Sequence, residues 1–263
     1  MNAHNREWSQ HPLLHSRRGE FLGTPIHALT MQETLSIADE AMANGRPLHH
    51  IVVNVSKLVN MRKNDELRED VISADIINVD GKGVLWGARL FGHSLPERVT
   101  GIDVMTNLFR LCEERGYRPF LLGAERDVLD AVLRRLGAVH PRLSVAGAQD
   151  GYFREDQEAA IVDAINASGA DCLFVAMPTP RKERFLKKYR KELKPNFVMG
   201  VGGSFDVYGG KVARAPKIVQ AMGLEWLFRV AQEPKRLWRR YYETNTTYAA
   251  LLWQEFWGCR SRR

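Results

Sequence analysis

Asp80 ends an apolar stretch, ADIINV, and precedes Gly81-Lys82-Gly83. A carboxylate at the carboxyl end of a buried strand can act as a general base when partly desolvated, or it can cap the next helix. Arg98 lies in PERVTGID. A loop arginine there can clamp a pyrophosphate through two parallel hydrogen bonds, or sit in a surface ion pair. Thr100, Gly101 and Asp103 read as the start of the next helix, with Asp103 as cap or first-turn residue. Glycine turns close two further strands, at Gly123 in FLLGAERD and at Gly200, Gly202 and Gly203 in GVGGSFD, where Asp206 follows. Glycine lets backbone N–H groups approach a phosphate closely. Pro180, Lys182 and Glu183 open a helix in PTPRKE, and the cations Arg181 and Lys182 oppose its dipole there. Either an anionic ligand or plain solvation would offset that.

Further on, Arg229, Arg236 and Arg239 share one helical face, provided that Pro234 does not break the register. Such an arginine stripe, interleaved with tryptophan, suits a diphosphate or an anionic membrane, or it is a solvated face over core tryptophans. Other chemistries lack their signatures. There is no GxGxxG or GxxxxGK[ST] turn, no histidine, cysteine or carboxylate cluster with metal-ligand spacing, no serine–histidine nucleophile and no DxD pair. The pattern calls for no metal and no cofactor.

Strands must hold these residues in a row. Apolar, β-branched runs predict strands over 49–55, 74–80, 118–124, 143–148, 171–177 and 196–202, with another in FLGTPIHAL. Helical periodicity falls between them: 30–44, opened by a Thr30/Glu33 capping box, then 56–72, 82–92, 103–115, 126–138, 155–168 and 180–192. Alternation of this kind predicts an α/β, Rossmann-like, mostly parallel sheet with helices on both faces. Ligands then sit at the carboxyl ends of strands, which singles out Asn54, Asp80, Gly123, residues 177–180 and the Gly200–Gly203 turn. After residue 210 the pattern is helical to about 256. We divide the chain into a flexible leader (1–20), an α/β catalytic domain (21–212) and a basic, tryptophan-rich helical appendage (213–263).

Composition bounds the setting. Of 263 residues, 44% are hydrophobic and 26% charged, which suits a folded protein and excludes bulk disorder. Residues 216–263 hold nine Lys/Arg against four Glu, most of the net +7, and four of the six tryptophans. That favours an anionic partner surface. Three dispersed cysteines read as structural thiols in a reducing compartment. The first twenty residues lack the apolar core of a signal peptide, and no stretch approaches the roughly 18 apolar residues of a spanning helix. The chain therefore reads as cytoplasmic, with peripheral membrane contact.

NVDGKGVLWGARLFG, PERVTGIDVM, PFLLGAERDV, DGYF, AMPTPRKERF, GVGGSFDVYGGKVARAP and LEWLFRVAQEPKRLWRRY, in order over about residues 21–243, resemble the WecG/TagA/CpsF family of bacterial glycosyltransferases. The resemblance implies an inverting, metal-independent enzyme on the inner face of the plasma membrane. It would move N-acetylmannosamine, its uronic acid or a glucose-type sugar from a UDP-sugar to a polyprenyl-diphosphate-linked sugar, for surface polysaccharide or exopolysaccharide. It implies a Rossmann-like core with a C-terminal helical appendage that docks on the membrane and completes the site, and it allows a homo-oligomer. By motif, Asp80 matches the family's catalytic base, Arg98 its site arginine, and Arg229, Arg236 and Arg239 its appendage arginines. Asn54, Thr100, Gly101, Asp103, Gly123, Tyr152 of DGYF, Pro180, Lys182, Glu183, Gly202, Gly203 and Asp206 are taken to line the substrate site. Val52 and Lys182 stand where many members have threonine and glutamine.

Two other readings compete: a nucleic-acid-binding module, from the basic aromatic tail, and a polysaccharide-assembly scaffold without catalysis, from the Val52 and Lys182 departures.

Overall fold

A computed structural model describes residue 8 and residues 10–260, apart from the side chains of Arg236 and residues 258–260. Its centre is a six-stranded parallel sheet in the order β4-β3-β8-β7-β5-β6. The strands are β3 (Leu48–Val53), β4 (Ile76–Val79), β5 (Pro119–Gly123), β6 (Gly147–Gln149), β7 (Cys172–Ala176) and β8 (Phe197–Gly200). All but β6 are buried along their whole length, as strands covered on both faces must be.

Alternate residues of each strand serve opposite faces. Ile76, Leu121, Phe174, Phe197 and Met199 join one continuous core with α2 (Met31–Ala43), α6 (Gly101–Arg115) and α7 (Arg126–Val139). On the other face the core is split. Ile51, Val53, Ile77 and Val79 pack with α3 (Val55–Lys63), α4 (Asp65–Ile72) and α5 (Lys82–Leu90), whereas Leu122, Leu173, Val175 and Val198 pack with α8 (Glu158–Ala167) and α9 (Arg181–Lys188). The α/β sheet with helices on both faces is thus as the alternation predicts. The Thr30/Glu33 capping box forms in full.

Several boundaries differ from expectation. The helix expected over 56–72 is two, because the Asn64 side chain accepts the Leu67 N–H and restarts the chain as α4. The strand expected over 143–148 is the short edge strand β6. The stretch FLGTPIHAL supplies half of an antiparallel hairpin, β1 (Arg18–Phe21) and β2 (Thr24–His27). This hairpin covers the edge of β4, where His27 Nδ1 accepts the Ile77 N–H at 3.0 Å. Burial pushes the His27 pKa down to about 4, which keeps the ring neutral and able to accept.

The flexible leader expected over 1–20 is corrected from residue 8 onward. Trp8 and Leu14 are buried in the main core, the Trp8 indole N–H donates to the Pro47 carbonyl, and α1 spans Pro12–Ser16. Too few apolar residues occur there to make a period, yet each one packs. Residues 1–7 and 9 lie outside the described residues.

Past β8 come α10 (Ser204–Tyr208), α11 (Lys217–Ala221), α12 (Glu225–Gln232) and α13 (Pro234–Arg260). Helix α13 lies along α3 and beside α5. Tyr248 is buried in the same cluster as Val84 and Leu85, and its hydroxyl donates to the Gly83 carbonyl. No described helix is long and apolar enough to cross a membrane.

Candidate active site

Parallel strands bring their carboxyl ends to one edge, and the sequence places its polar residues there. The Asp80 N–H donates to the Val53 carbonyl at 2.8 Å, so the residue adds one rung beyond β4. Its carboxylate Oδ2 accepts the N–H of Gly101, the first residue of α6, at 3.3 Å. The positive end of that helix dipole therefore faces the charge. Of the two sequence readings, capping of the next helix does not occur, since Gly81 holds that position before α5. Asp80 is partly buried, and desolvation pushes its pKa up to about 6. The Gly101 hydrogen bond and the Arg98 charge pull the other way, while Glu225 and Asp103 add to the rise.

Arg98 stands in the loop before α6. The next residue, Val99, donates its N–H to the Val79 carbonyl, which fixes the loop to the end of β4. The Arg98 side chain is 12% exposed and pairs with Glu225, the first residue of α12. This is a half-buried pair between distant elements rather than the surface pair considered as the alternative. Thr100 caps α6, accepting the Asp103 N–H and donating to the Asp103 carboxylate. Arg214 in turn pairs with Asp103 at 2.8 Å.

At the next strand, Asn54 caps α3 by accepting the Lys57 N–H at 3.0 Å. Lys57 turns inward: its ammonium donates to the Val52 carbonyl and pairs with Glu183 at 2.9 Å. Lys182 pairs with the same Glu183 oxygen at 3.0 Å. All three side chains are buried. Burial alone would raise the Glu183 pKa, but the two lysines bring it down to about 2. Burial and the neighbouring Lys57 lower Lys182 to about 8, against the pull of Glu183. The two lysines and one carboxylate make a positively charged floor under the Gly200–Gly203 turn. The Lys182 stem crosses Gly200, where a Cβ would stand 2.6 Å from Cε.

Arg229 reaches the same turn from α12. A Cβ on Gly203 would stand 2.7 Å from its Nη2, so a larger residue there would push the guanidinium aside. Burial raises the Asp206 pKa, and Arg229 opposes the rise. Gly123 and Tyr152 lie at the far end of the row, beyond β7. The Tyr152 hydroxyl donates to Glu125, and the ring is three-quarters exposed. Four strand spacings separate β4 from β5, about 19 Å at the usual interval. Pro180 precedes α9.

Two expectations are corrected here. Arg229, Arg236 and Arg239 do not share a helix, because α12 ends at Gln232 and Pro234 begins α13. Arg239 is 89% exposed and pairs with Glu243 one turn along, and the side chain of Arg236 lies outside the described residues. Arg181 is neither solvated nor free for a ligand. It donates to the Gly151 and Phe153 carbonyls and stacks on the Phe153 ring.

Lys57, Arg214 and Glu225 contact the residues predicted for the site and escaped sequence reasoning. Lys57 was legible only as a lysine on the apolar side of a helix, and Glu225 as one acid in a basic tail. Among the described residues, no group of three or more His, Cys, Asp or Glu could hold a metal ion.

The site has a titrating carboxylate beside an arginine, a row of strand-end turns and further cations along it. That set can remove a proton and receive negative charge developing nearby. The family model for glycosyl transferases of the WecG/TagA/CpsF type matches residues 19–262, nearly the whole chain. The chain belongs to the WecG/TagA/CpsF glycosyltransferase family.

Proposed function

We propose that the protein transfers a sugar from a UDP-sugar to a polyprenyl-diphosphate-linked sugar by direct displacement, with inversion and without a metal ion. Asp80 takes the proton of the acceptor hydroxyl as its oxygen attacks the anomeric carbon. The bond to UDP breaks, and negative charge develops on the departing diphosphate. Arg98, Arg229 and the N–H groups of the glycine turns receive that charge. The observation that carries this reading is Asp80 itself. Its pKa of about 6 leaves the carboxylate mostly ionised at pH 7 yet a stronger base than an ordinary aspartate, and it stands beside Arg98. Arg239, exposed near the start of α13, is assigned to lipid or acceptor phosphate rather than to the leaving group.

The protein works at the inner face of the plasma membrane. Trp238, Tyr242, Trp253, Phe256 and Trp257 are exposed on α13 and fall within roughly 100° of one another around the helix. Such a stripe, flanked by arginines, suits the interface of an anionic bilayer.

The test is UDP release by the full chain with a polyprenyl-diphosphate-sugar acceptor analogue, a panel of UDP-sugars and EDTA. The expected result is release with one donor, dependent on acceptor and lost in Asp80→Asn. Absence of release and of UDP binding, from folded protein on anionic vesicles, would overturn the proposal.

A further inference from the structure

Arg98 and Glu225 are 127 residues apart in sequence and meet at the carboxyl end of β4. The side chains are 12% and 32% exposed, so the pair is shielded enough to hold its geometry. The contact uses Nη1 of the guanidinium. Arginine carries five N–H donors in a rigid fork, so the rest of the fork is left for an anionic ligand. Glu225 begins α12, and the preceding helix α11 is tied to the start of α5 by the Lys82 ammonium on the Ala221 carbonyl. The C-terminal helices thus reach the Asp80 end of the site through a carboxylate, as well as the Gly203 turn through Arg229.

We propose that Glu225 is a positioning residue of the transferase site, holding the Arg98 guanidinium in place beside the Asp80 carboxylate. The inference rests on the roles given above to Asp80 and Arg98. It makes the C-terminal helices part of the catalytic arrangement through a negative charge, which a search for phosphate-binding cations passes over. The charged groups that act on Asp80 are Arg98 from its loop, Asp103 from α6 and Glu225 from α12, and the Gly101 N–H donates to it. Asp103 is itself held by Arg214. With Glu225 neutralised, the charge of Arg98 acts on Asp80 without its counterion. The base then weakens, and the arginine loses its fixed place.

The experiment is a pH–rate profile of the full chain carrying Glu225→Gln or Glu225→Asp, with kcat and KM for the UDP-sugar measured at each pH. In Glu225→Gln, kcat should fall about 10- to 100-fold, as expected when a charge-stabilising group is misplaced by about 1 Å. KM should stay within about threefold, because the loosened arginine still meets the ground-state diphosphate. The acid limb should move to lower pH. Glu225→Asp keeps the charge, so its limb should stay in place while kcat falls less. A merely structural role would reduce the active fraction without moving the limb. An unchanged kcat, or a lowered kcat with an unmoved limb, in Glu225→Gln overturns the proposal. Should that variant fail to fold, Glu225→Asp decides: a kcat reduced per UDP-binding site, with the limb in place, supports the proposal, and a kcat per UDP-binding site equal to the wild type overturns it. Wild-type protein without turnover would instead overturn the transferase reading itself, and this inference with it.

Discussion

At the scale of single residues, Asp80 is the side chain on which the proposed catalysis and the stability of the fold pull in opposite directions. Its pKa rises from an ordinary 3.8 to about 6 on folding. A group raised in this way is protonated in both states at pH 3. As pH climbs from about 4 to 6 the unfolded chain ionises first, so the folded state loses stability over that window and does not regain it above. The loss is on the order of 1–3 kcal/mol for a partly buried carboxyl. Asp80→Asn should therefore melt higher than the wild type at pH 8 and at the same temperature at pH 3. The same variant should lose about 10²–10⁴-fold in transfer rate, the usual worth of a general base. Wild-type rates should fall as pH drops below about 6. A melting curve at the two pH values, beside a rate profile, checks all three. Asp80 and Arg98 were legible in the sequence because each stands at a predicted strand end or loop. Lys57 and Glu225 were not, because their importance comes from partners that the chain brings to them from 126 and 127 residues away.

At the scale of elements, the placement of α13 depends on a glycine. Gly87 of α5 faces Tyr248 and Leu252, and a Cβ there would stand 2.2 Å from the Tyr248 hydroxyl and 3.1 Å from Leu252 Cδ2. That hydroxyl is already bound to the Gly83 carbonyl and buried, so it has little room to move. Gly87→Ala in an open helix would gain about 1 kcal/mol. Here overpacking, at about 1–3 kcal/mol, should win. Gly87→Ala should lower the urea midpoint and make residues 234–260 more sensitive to protease. Unchanged protection of that segment would count against tight docking. The sequence reading found nearly every strand and helix, because buried β-branched runs and 3.6-residue periods are strong local signals. It missed the break at Asn64, a single capping side chain within an otherwise helical stretch. It also missed the ordered segment from residue 10 to 20, whose apolar residues answer to a distant core rather than to one another.

At the scale of the whole molecule, the chain carries two candidate surfaces: the row of strand ends and the aromatic stripe of α13. If the stripe lies in a bilayer interface, binding should have two separable components. Raising salt from about 0.1 to 1 M shortens the screening length from about 10 to 3 Å and should remove the part carried by the arginines. Trp238→Ser with Trp253→Ser should remove most of the remainder. Co-sedimentation with anionic vesicles measures both, and binding indifferent to the two substitutions would exclude this face.

The strand order has one more consequence, in time rather than in space. Strand β8, the last to be made, lies between β3 and β7. Until residues 197–200 emerge from the ribosome, β3–β4 and β7–β5–β6 are two unjoined half-sheets, each with a bare inner edge. The central insertion closes both edges at once, a non-local step late in synthesis. The floor of the site spans that same seam, with Lys57 following β3 and Lys182 following β7. Before β8 is made no strand bridges that seam, which helix packing such as that of α9 on α4 then crosses, and the helices α11, α12 and α13 are translated afterwards. Synthesis from one end to the other therefore builds the row of strand ends first and the helices that reach it second.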